Sequence, residues 1–169
     1  MMAAVVNQIG ETPKMIPSHK PKSFRNRILT WTPVLVWMAV IFLFSSEYFS
    51  AENTTPLIAP ILSNLFPDLA APHIENIALM IRKLGHLGEY FILALLLMRA
   101  LNVEFVERTA NRRILWSLIV VVSYAASDEI HQAFVPSRTA SLADVIIDTL
   151  GGICGTLWFH VRNRDQKSS

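Results

Sequence analysis

The sequence predicts an all-α integral membrane protein, a bundle of four membrane-crossing helices in one domain. Hydrophobic residues make up 52% of the chain and charged residues only 17%, whereas soluble domains carry about 25% charged residues. Mean hydropathy is positive, at +0.38. Four runs, about 28–46, 84–101, 112–131 and 142–159, approach or reach the roughly 20 residues that a hydrocarbon core requires.

Composition also excludes several classes of partner and site. The net charge is only +2, and the basic residues are spread over segments that flank the spans, so we expect no nucleic-acid partner. The lone Cys154 lies in an apolar run, which excludes a disulfide and a cysteine-based metal site. We predict no cofactor.

The chain divides into a basic tail (1–27), a transmembrane domain (28–160) and a second tail (161–169). We interpret both tails as cytoplasmic and the first as poorly ordered. The first span has no ionisable group, and Pro33 falls early in it, where helices tolerate proline. A cleaved signal peptide is the alternative, but Phe49 occupies a cleavage-site position that requires a small residue.

A long connection, 48–82, separates the first two spans. Its prolines exclude one long helix before residue 72; they are Pro56, Pro60, Pro67 and Pro72. Beyond them, Ile74, Ile77, Ala78 and Ile81 have the i, i+3, i+4, i+7 spacing of an amphipathic helix. This helix either lies on the membrane surface or runs into the second span.

The last two spans carry polar groups in their interiors. The third is apolar only over 114–127, so a full crossing buries its polar end. Asp148 lies within the fourth span, where a carboxylate is costly unless it finds a partner. Gly151 and Gly155 form G-x-x-x-G, which favours close helix packing. The same role is open to Gly152, Gly85 and Gly88.

Lysine and arginine counts predict the orientation. With the N-terminus inside, twelve of these residues lie on the inner side and three, Arg82, Lys83 and Arg138, on the outer side. Both termini are therefore predicted to be cytoplasmic. Trp31, Trp116 and Trp158 then fall at the inner interface, where tryptophan is common.

This topology predicts that three polar clusters, from spans two, three and four, meet at one outer membrane depth. We expect them to form a ligand-binding pocket. The candidate residues are Lys83, His86, Tyr90, Asp128, Glu129, Gln132, Arg138 and Asp144. Each cluster also has a purely structural interpretation: interfacial anchoring for the second span and a solvated helix end for the third.

Arg138 and Ser141 have two interpretations each. Arg138 either forms an internal ion pair with Asp128, Glu129 or Asp144, or binds a phosphate or carboxylate. Ser141 and Asp144 have the spacing of a capping box, which would give both a structural role.

The candidate catalytic residues are His86 and His131 with Asp128 and Glu129, as acid and base. Whether the chain catalyses a reaction stays open. These side chains could hold a divalent metal, but no H-E-x-x-H or H-x-x-E-H motif is present, and we predict no metal site.

In order, these motifs resemble the VanZ-like family. The resemblance covers residues 35–160 and rests on K-x-x-H-x-x-x-Y from Lys83, D-E-x-x-Q from Asp128, P-x-R from Pro136 and S-x-x-D from Ser141. The family usually has glycine at Ser137 and asparagine at Asp148. The resemblance implies a bacterial protein of about four membrane helices; the family's named member is associated with low-level teicoplanin resistance.

The favoured hypothesis is a multi-pass protein of the cell membrane whose outer pocket binds a polar or anionic, lipid-linked ligand of the cell envelope. Lys83 and Arg138 would hold the anion. The alternatives are an intramembrane enzyme acting on a lipid headgroup and a small transporter component. A polar path to the inner side would indicate transport, and below Asp148 and Tyr124 the spans read as apolar. The oligomeric state is undetermined.

Overall fold

The computed structural model describes residues 24–106, 108–136, 138 and 140–168. The helices are α1 (Phe24–Phe44), α2 (Ala51–Leu65), α3 (Ala71–Glu104), α4 (Ala110–Gln132) and α5 (Leu142–Ser168), with a 3-10 turn at Glu47–Phe49. All but α2 are long and apolar enough to cross a membrane. The predicted all-α, four-span fold is therefore confirmed. The tail lysines at 14, 20 and 22, and Ser137, lie outside the described residues.

Helix α3 is the centre of the bundle, because it packs against each of the other four helices. Its residues Tyr90, Leu93 and Ala94 are fully buried in the apolar core. In contrast, large apolar side chains such as Leu35 and Leu115 are more than half exposed. An apolar outer surface is expected where lipid is the solvent.

The four long helices run antiparallel in turn, which gives the bundle two ends. Arg27 at the start of α1 pairs with Glu104 at the end of α3 at 3.0 Å. We call this the terminal end, since α1 begins there and α5 finishes there. The opposite end holds the 3-10 turn, α2 and the α4–α5 turn, and we call it the polar end. Its predicted location outside the cell stays a prediction.

Pro33 is well inside α1, because the helix begins at Phe24 and not near residue 28. The expectation of an early position was wrong. An interior proline removes one backbone hydrogen bond. Here the adjacent Val34 is only 2% exposed, so packing against the bundle holds the helix through the proline.

The 48–82 connection is mostly helical, which its prolines did not predict. Ser50 begins α2 by accepting a hydrogen bond from the Asn53 N–H at 3.4 Å. Pro56 and Pro60 lie one turn apart on an exposed face. The carbonyls that lose their partners therefore lie on the outside of the helix, where water or headgroups can bond them.

The amphipathic start after Pro72 runs directly into the second span, and α3 is a single helix of 34 residues. At 1.5 Å per residue it is about 50 Å long, which exceeds a hydrocarbon core of about 30 Å. Ile74 and Ala78 are buried in this first part, so its apolar face packs on protein.

The glycines of α5 allow the closest helix contact in the bundle core. A Cβ on Gly151 would lie 2.2 Å from the Leu87 carbonyl oxygen, and one on Gly155 would lie 2.4 Å from that of Phe91. The predicted close packing is confirmed, and Gly152 shares it against Val121. The same prediction was wrong for Gly85 and Gly88, because a Cβ added at either position would meet no atom within 4 Å.

Substituting alanine at Gly151 or Gly155 should destabilise the protein by about 1–3 kcal/mol, because backbone atoms of α3 must move to admit the methyl group. Unfolding of the purified protein in detergent, followed by circular dichroism, measures this. Gly88→Ala is the matched control and should be more stable than the original chain by up to about 1 kcal/mol, because alanine favours helix. Equal stability of all three variants would contradict the packing argument.

Candidate functional site

Two polar pairs connect α3 to α5 at the polar end. Lys83 Nζ lies 3.2 Å from Asp144 Oδ1, and His86 Nδ1 lies 3.3 Å from Asp148 Oδ1. Lys83 and His86 are about one turn apart on α3, as are Asp144 and Asp148 on α5. The two pairs therefore lie one above the other, and we call them the two rungs between these helices. The structure thus brings together the predicted start of the second span and the predicted start of the fourth.

The deeper rung, His86–Asp148, is buried. Asp148 is 0% exposed and His86 8%. A carboxylate at this depth is costly without a partner, and His86 is the partner the sequence could not name. The two groups lie at ion-pair distance, but neither His86 Nδ1 nor either oxygen of Asp148 makes a hydrogen bond to a described residue, so both oxygens retain acceptor capacity.

Glu129 supports the start of α5. Its Oε2 accepts a hydrogen bond from the Ser141 N–H at 2.6 Å. This carboxylate therefore occupies the place that Asp144 would have in a capping box, while the Asp144 side chain pairs with Lys83. The predicted capping box is not formed, because a tertiary contact replaces the local one.

The neighbouring Asp128 has different partners. Asp128 Oδ2 accepts a hydrogen bond from Gln132 Nε2 at 3.0 Å. Asp128 Oδ1 and Gln132 Oε1 are buried without a partner. Adjacent helical residues point about 100° apart, so Asp128 and Glu129 do not act as one acid pair.

Arg138 holds the end of α1. Its guanidinium donates to the backbone carbonyls of Phe44, at 2.5 Å, and Ser46, at 3.1 Å. Carbonyls at a helix C-terminus lack intrahelical partners and carry partial negative charge. Among the described residues no carboxylate lies within ion-pair distance of Arg138, so the internal ion pair is not formed.

The charge of Arg138 is therefore poorly compensated. Arg138 is only 9% exposed, and its Nε is buried without a partner. Burial lowers the pKa of Arg138, and the positive charge of Arg82 lowers it further, against the opposite effect of Asp128 and Glu89. An anion placed beside this guanidinium would gain both a donor and a charge.

A cavity of about 220 Å³ opens at this point between α1, α2, α3 and α4, and we call it the polar-end cavity. Its charged and titratable lining residues are Arg82, His86, Glu89, Asp128 and Arg138. Thr54, Thr55 and Ile58 of α2 line it from the other side. The lining thus combines two guanidiniums, two carboxyl groups and an imidazole with hydroxyl groups and apolar surface.

Six of the predicted residues do not line the cavity: Lys83, Tyr90, Glu129, His131, Gln132 and Asp144. Lys83 is not on the cavity wall and is paired with Asp144. Tyr90 is 0% exposed within the core. The ring of His131 packs against Phe42, with centroids 4.4 Å apart. These residues lie on the helices that form the site, but their side chains do not line the cavity.

Two cavity residues were not in the predicted set, Arg82 and Glu89. With His86 they have i, i+4, i+7 spacing and so share one face of α3. That pattern was visible in the sequence, but it competed with the Lys83–His86–Tyr90 face. Only the rotation of α3 in the bundle decides which face borders the cavity.

The interior between the site and the terminal end also contains a buried hydroxyl pair. Ser117 and Thr156 are fully buried, with their oxygens 3.2 Å apart. The expectation that the spans are apolar below Asp148 was wrong at this pair. Serine and threonine are common in apolar helices and were not counted as polar groups. The pair lies two turns of α5 from Asp148, so it is separate from the site.

The described residues contain no group of three or more His, Cys, Asp or Glu side chains placed to hold a metal ion. The ionisable groups on the cavity wall are guanidinium, imidazole and carboxyl groups. Such groups can bind an anion or transfer protons.

Four membrane-length helices, three of which border a charged cavity at one end, define a multi-pass helical membrane protein. The VanZ/LLP1 family model matches residues 30–163, which include nearly all of the four long helices and the polar end. The chain belongs to this family. No curated protein and no solved structure matches it.

A double-mutant cycle should separate the two rungs between α3 and α5. For His86→Ala with Asp148→Ala we expect a coupling energy of about 1–3 kcal/mol, because both partners are buried. For Lys83→Ala with Asp144→Ala we expect less than about 1 kcal/mol, since exposed ion pairs contribute little. Unfolding free energies in detergent give both values, and equal couplings would contradict this assignment.

Proposed function

We propose that this protein is a bacterial cell-envelope membrane protein whose polar-end cavity binds a polar or anionic, lipid-linked ligand. The observation that carries the proposal is the pair of guanidiniums, Arg82 and Arg138, on the wall of one cavity. Among the described residues neither has a carboxylate within ion-pair distance. Two guanidiniums are suited to a phosphate or carboxylate group.

The position of the cavity favours a ligand that carries a lipid. The cavity lies at one end of the four membrane-length helices, between α2 and the start of α3. Leu57 and Ile61 of α2 are more than half exposed, so an apolar tail would find apolar surface beside the cavity. With the predicted orientation, this end faces the outside of the cell.

In this proposal Arg82 and Arg138 bind the anionic group of the ligand. Arg82 takes the role that the sequence predicted for Lys83. Lys83 is already neutralised by Asp144. Asp128 and Glu89 would limit the positive charge of the empty cavity and accept hydrogen bonds from the ligand's polar groups. A link to glycopeptide resistance would follow if the ligand is an envelope precursor.

Arg82→Gln should weaken binding of farnesyl phosphate to the detergent-solubilised protein by roughly ten- to hundred-fold, because a hydrogen bond to a charged group contributes about 1.5–3 kcal/mol. Native mass spectrometry with farnesol as the uncharged comparison measures the effect. Lys83→Gln is the matched control, a neighbouring cation off the cavity wall. Equal loss in both variants, or equal binding of farnesol, would reject the proposal.

Arg138→Ala should abolish any envelope phenotype of the gene while the protein remains folded in membranes. Since Arg138 also holds carbonyls of α1, its folded state must be checked by gel filtration in detergent. A retained phenotype in a folded variant would count against the proposal.

The second candidate function is acid–base catalysis on a lipid headgroup, and the His86–Asp148 pair favours it. A carboxylate that holds one imidazole nitrogen orients the ring for proton transfer, and His86 also lines the cavity. Glu89 and Asp128 line the same cavity as further acid or base groups. Glu129 and His131, also predicted for this role, do not line the cavity; Glu129 bonds the Ser141 N–H and the His131 ring packs against Phe42.

If the protein is an enzyme, His86→Ala should slow conversion of the affected lipid by about 10²–10⁴-fold. Purified protein incubated with extracted envelope lipids, followed by lipid mass spectrometry, provides the test. His160→Ala, at the terminal end, is the control. No lipid altered by the original chain, with or without Mg²⁺ or Zn²⁺, would rule against catalysis.

A further inference from the structure

A second cavity, of about 330 Å³, lies at the terminal end between α1, the end of α3 and the start of α4. Trp31, Phe105 and Trp116 line it, together with three arginines, Arg108, Arg112 and Arg113. We call it the tryptophan–arginine cavity. It shares no lining residue with the polar-end cavity, so the two cavities are separate sites.

Its aromatic residues point to a lipid environment. Tryptophan is enriched where a membrane meets water. Trp116 is 52% exposed, and Trp31 is half-buried on the neighbouring helix. Between them the wall is continued by Leu101 and Val120. An apolar slot that opens between two interfacial tryptophans has the chemistry to hold part of an acyl chain.

Few acids of the described part of the chain lie near the arginines beside this slot. Among the described residues no acid pairs with Arg108 or Arg112. Glu104, the acid in the last turn of α3, is already paired with Arg27 at 3.0 Å. Arg108 lies over the Phe105 ring, 5.7 Å from its centroid, which keeps its guanidinium at the aromatic wall.

Arg113 fixes this arrangement. Its guanidinium donates to the Arg108 carbonyl at 2.6 Å and to that of Phe105 at 3.2 Å, so the α3–α4 loop is held against α4. Its Nε is buried and has no partner. The loop carbonyls thus bond Nη1 of this guanidinium, whereas Nε has no hydrogen bond within the described residues.

The start of α4 adds to the positive field. Its first turn contains no acid and includes Arg112, and Thr109 provides no side-chain cap. Cations at a helix N-terminus oppose the helix dipole. An anion at this position would be attracted by the arginines and by the free N–H groups together.

We propose that the tryptophan–arginine cavity binds an anionic phospholipid from the adjacent leaflet. One acyl chain lies between Trp31 and Trp116, and the phosphate is held by Arg108 and Arg112. Basic pockets between membrane helices bind anionic headgroups in this way. The site is independent of the function proposed for the polar end.

The cavity tryptophans allow a direct test in a Trp37→Phe, Trp158→Phe background, which leaves Trp31 and Trp116 as the only tryptophans. Two vesicle preparations have the same phosphatidylglycerol and phosphatidylcholine content. In one preparation a small fraction of the phosphatidylglycerol is brominated, and in the other the same amount of phosphatidylcholine is brominated. Bromine quenches tryptophan fluorescence. We expect stronger quenching by brominated phosphatidylglycerol, corresponding to an enrichment of about tenfold beside the tryptophans.

The double variant Arg108→Gln with Arg112→Gln should remove this difference, and the corresponding double lysine variant should keep most of it. Arg99→Gln with Arg162→Gln is the matched control, because both residues are exposed at the terminal end and neither lines the cavity. It should retain the full difference. If the double variant does not fold, Arg108→Gln alone carries the test, since Arg108 lies outside the helices. Equal quenching by the two lipids, or equal loss in the control, would overturn the proposal.

Discussion

The close contact between α3 and α5 is the constraint on which the polar end depends. Gly151 and Gly155 bring the backbone of α5 against the carbonyls of Leu87 and Phe91. At that separation the side chains one turn nearer the polar end can meet. His86 then reaches Asp148, and a buried carboxylate gains the partner without which its burial would cost several kcal/mol.

Backbone carbonyls and helix starts at the polar end are satisfied by side chains from other helices. Arg138 bonds the last carbonyls of α1, and Glu129 bonds the first N–H of α5. The first contact joins the α4–α5 turn to α1, which is distant in sequence, and the second joins the two ends of the turn. These contacts also leave Arg138 with no described carboxylate at ion-pair distance, although Glu89 and Asp128 line the same cavity.

The two ends of the bundle carry positive charge in different settings. At the polar end Arg82 and Arg138 share a cavity with Glu89 and Asp128, so a ligand must match both signs. At the terminal end the arginines border aromatic and aliphatic surface, where headgroup charge and acyl chain are recognised together. The first setting favours a specific ligand, and the second favours the membrane itself.

The order and type of the long helices could be predicted from the sequence, because apolar runs of membrane length have few alternative structures. The requirement that Asp148 find a partner was also evident, since its depth follows from its position in the run. The helices within 48–82 were not predictable in the same way, because Pro56 and Pro60 argue against helix unless their exposure is known.

By itself the sequence determined the four spans, the close-packing glycines of α5 and the polar residues that meet at one end. Tertiary structure decided the partner of each residue. Lys83 and Arg82 are adjacent in the chain, yet one pairs with Asp144 and the other lines the cavity. The reason is geometric: neighbouring helical residues point about 100° apart, so the rotation of α3, set by its packing on α5, selects which cation the cavity receives.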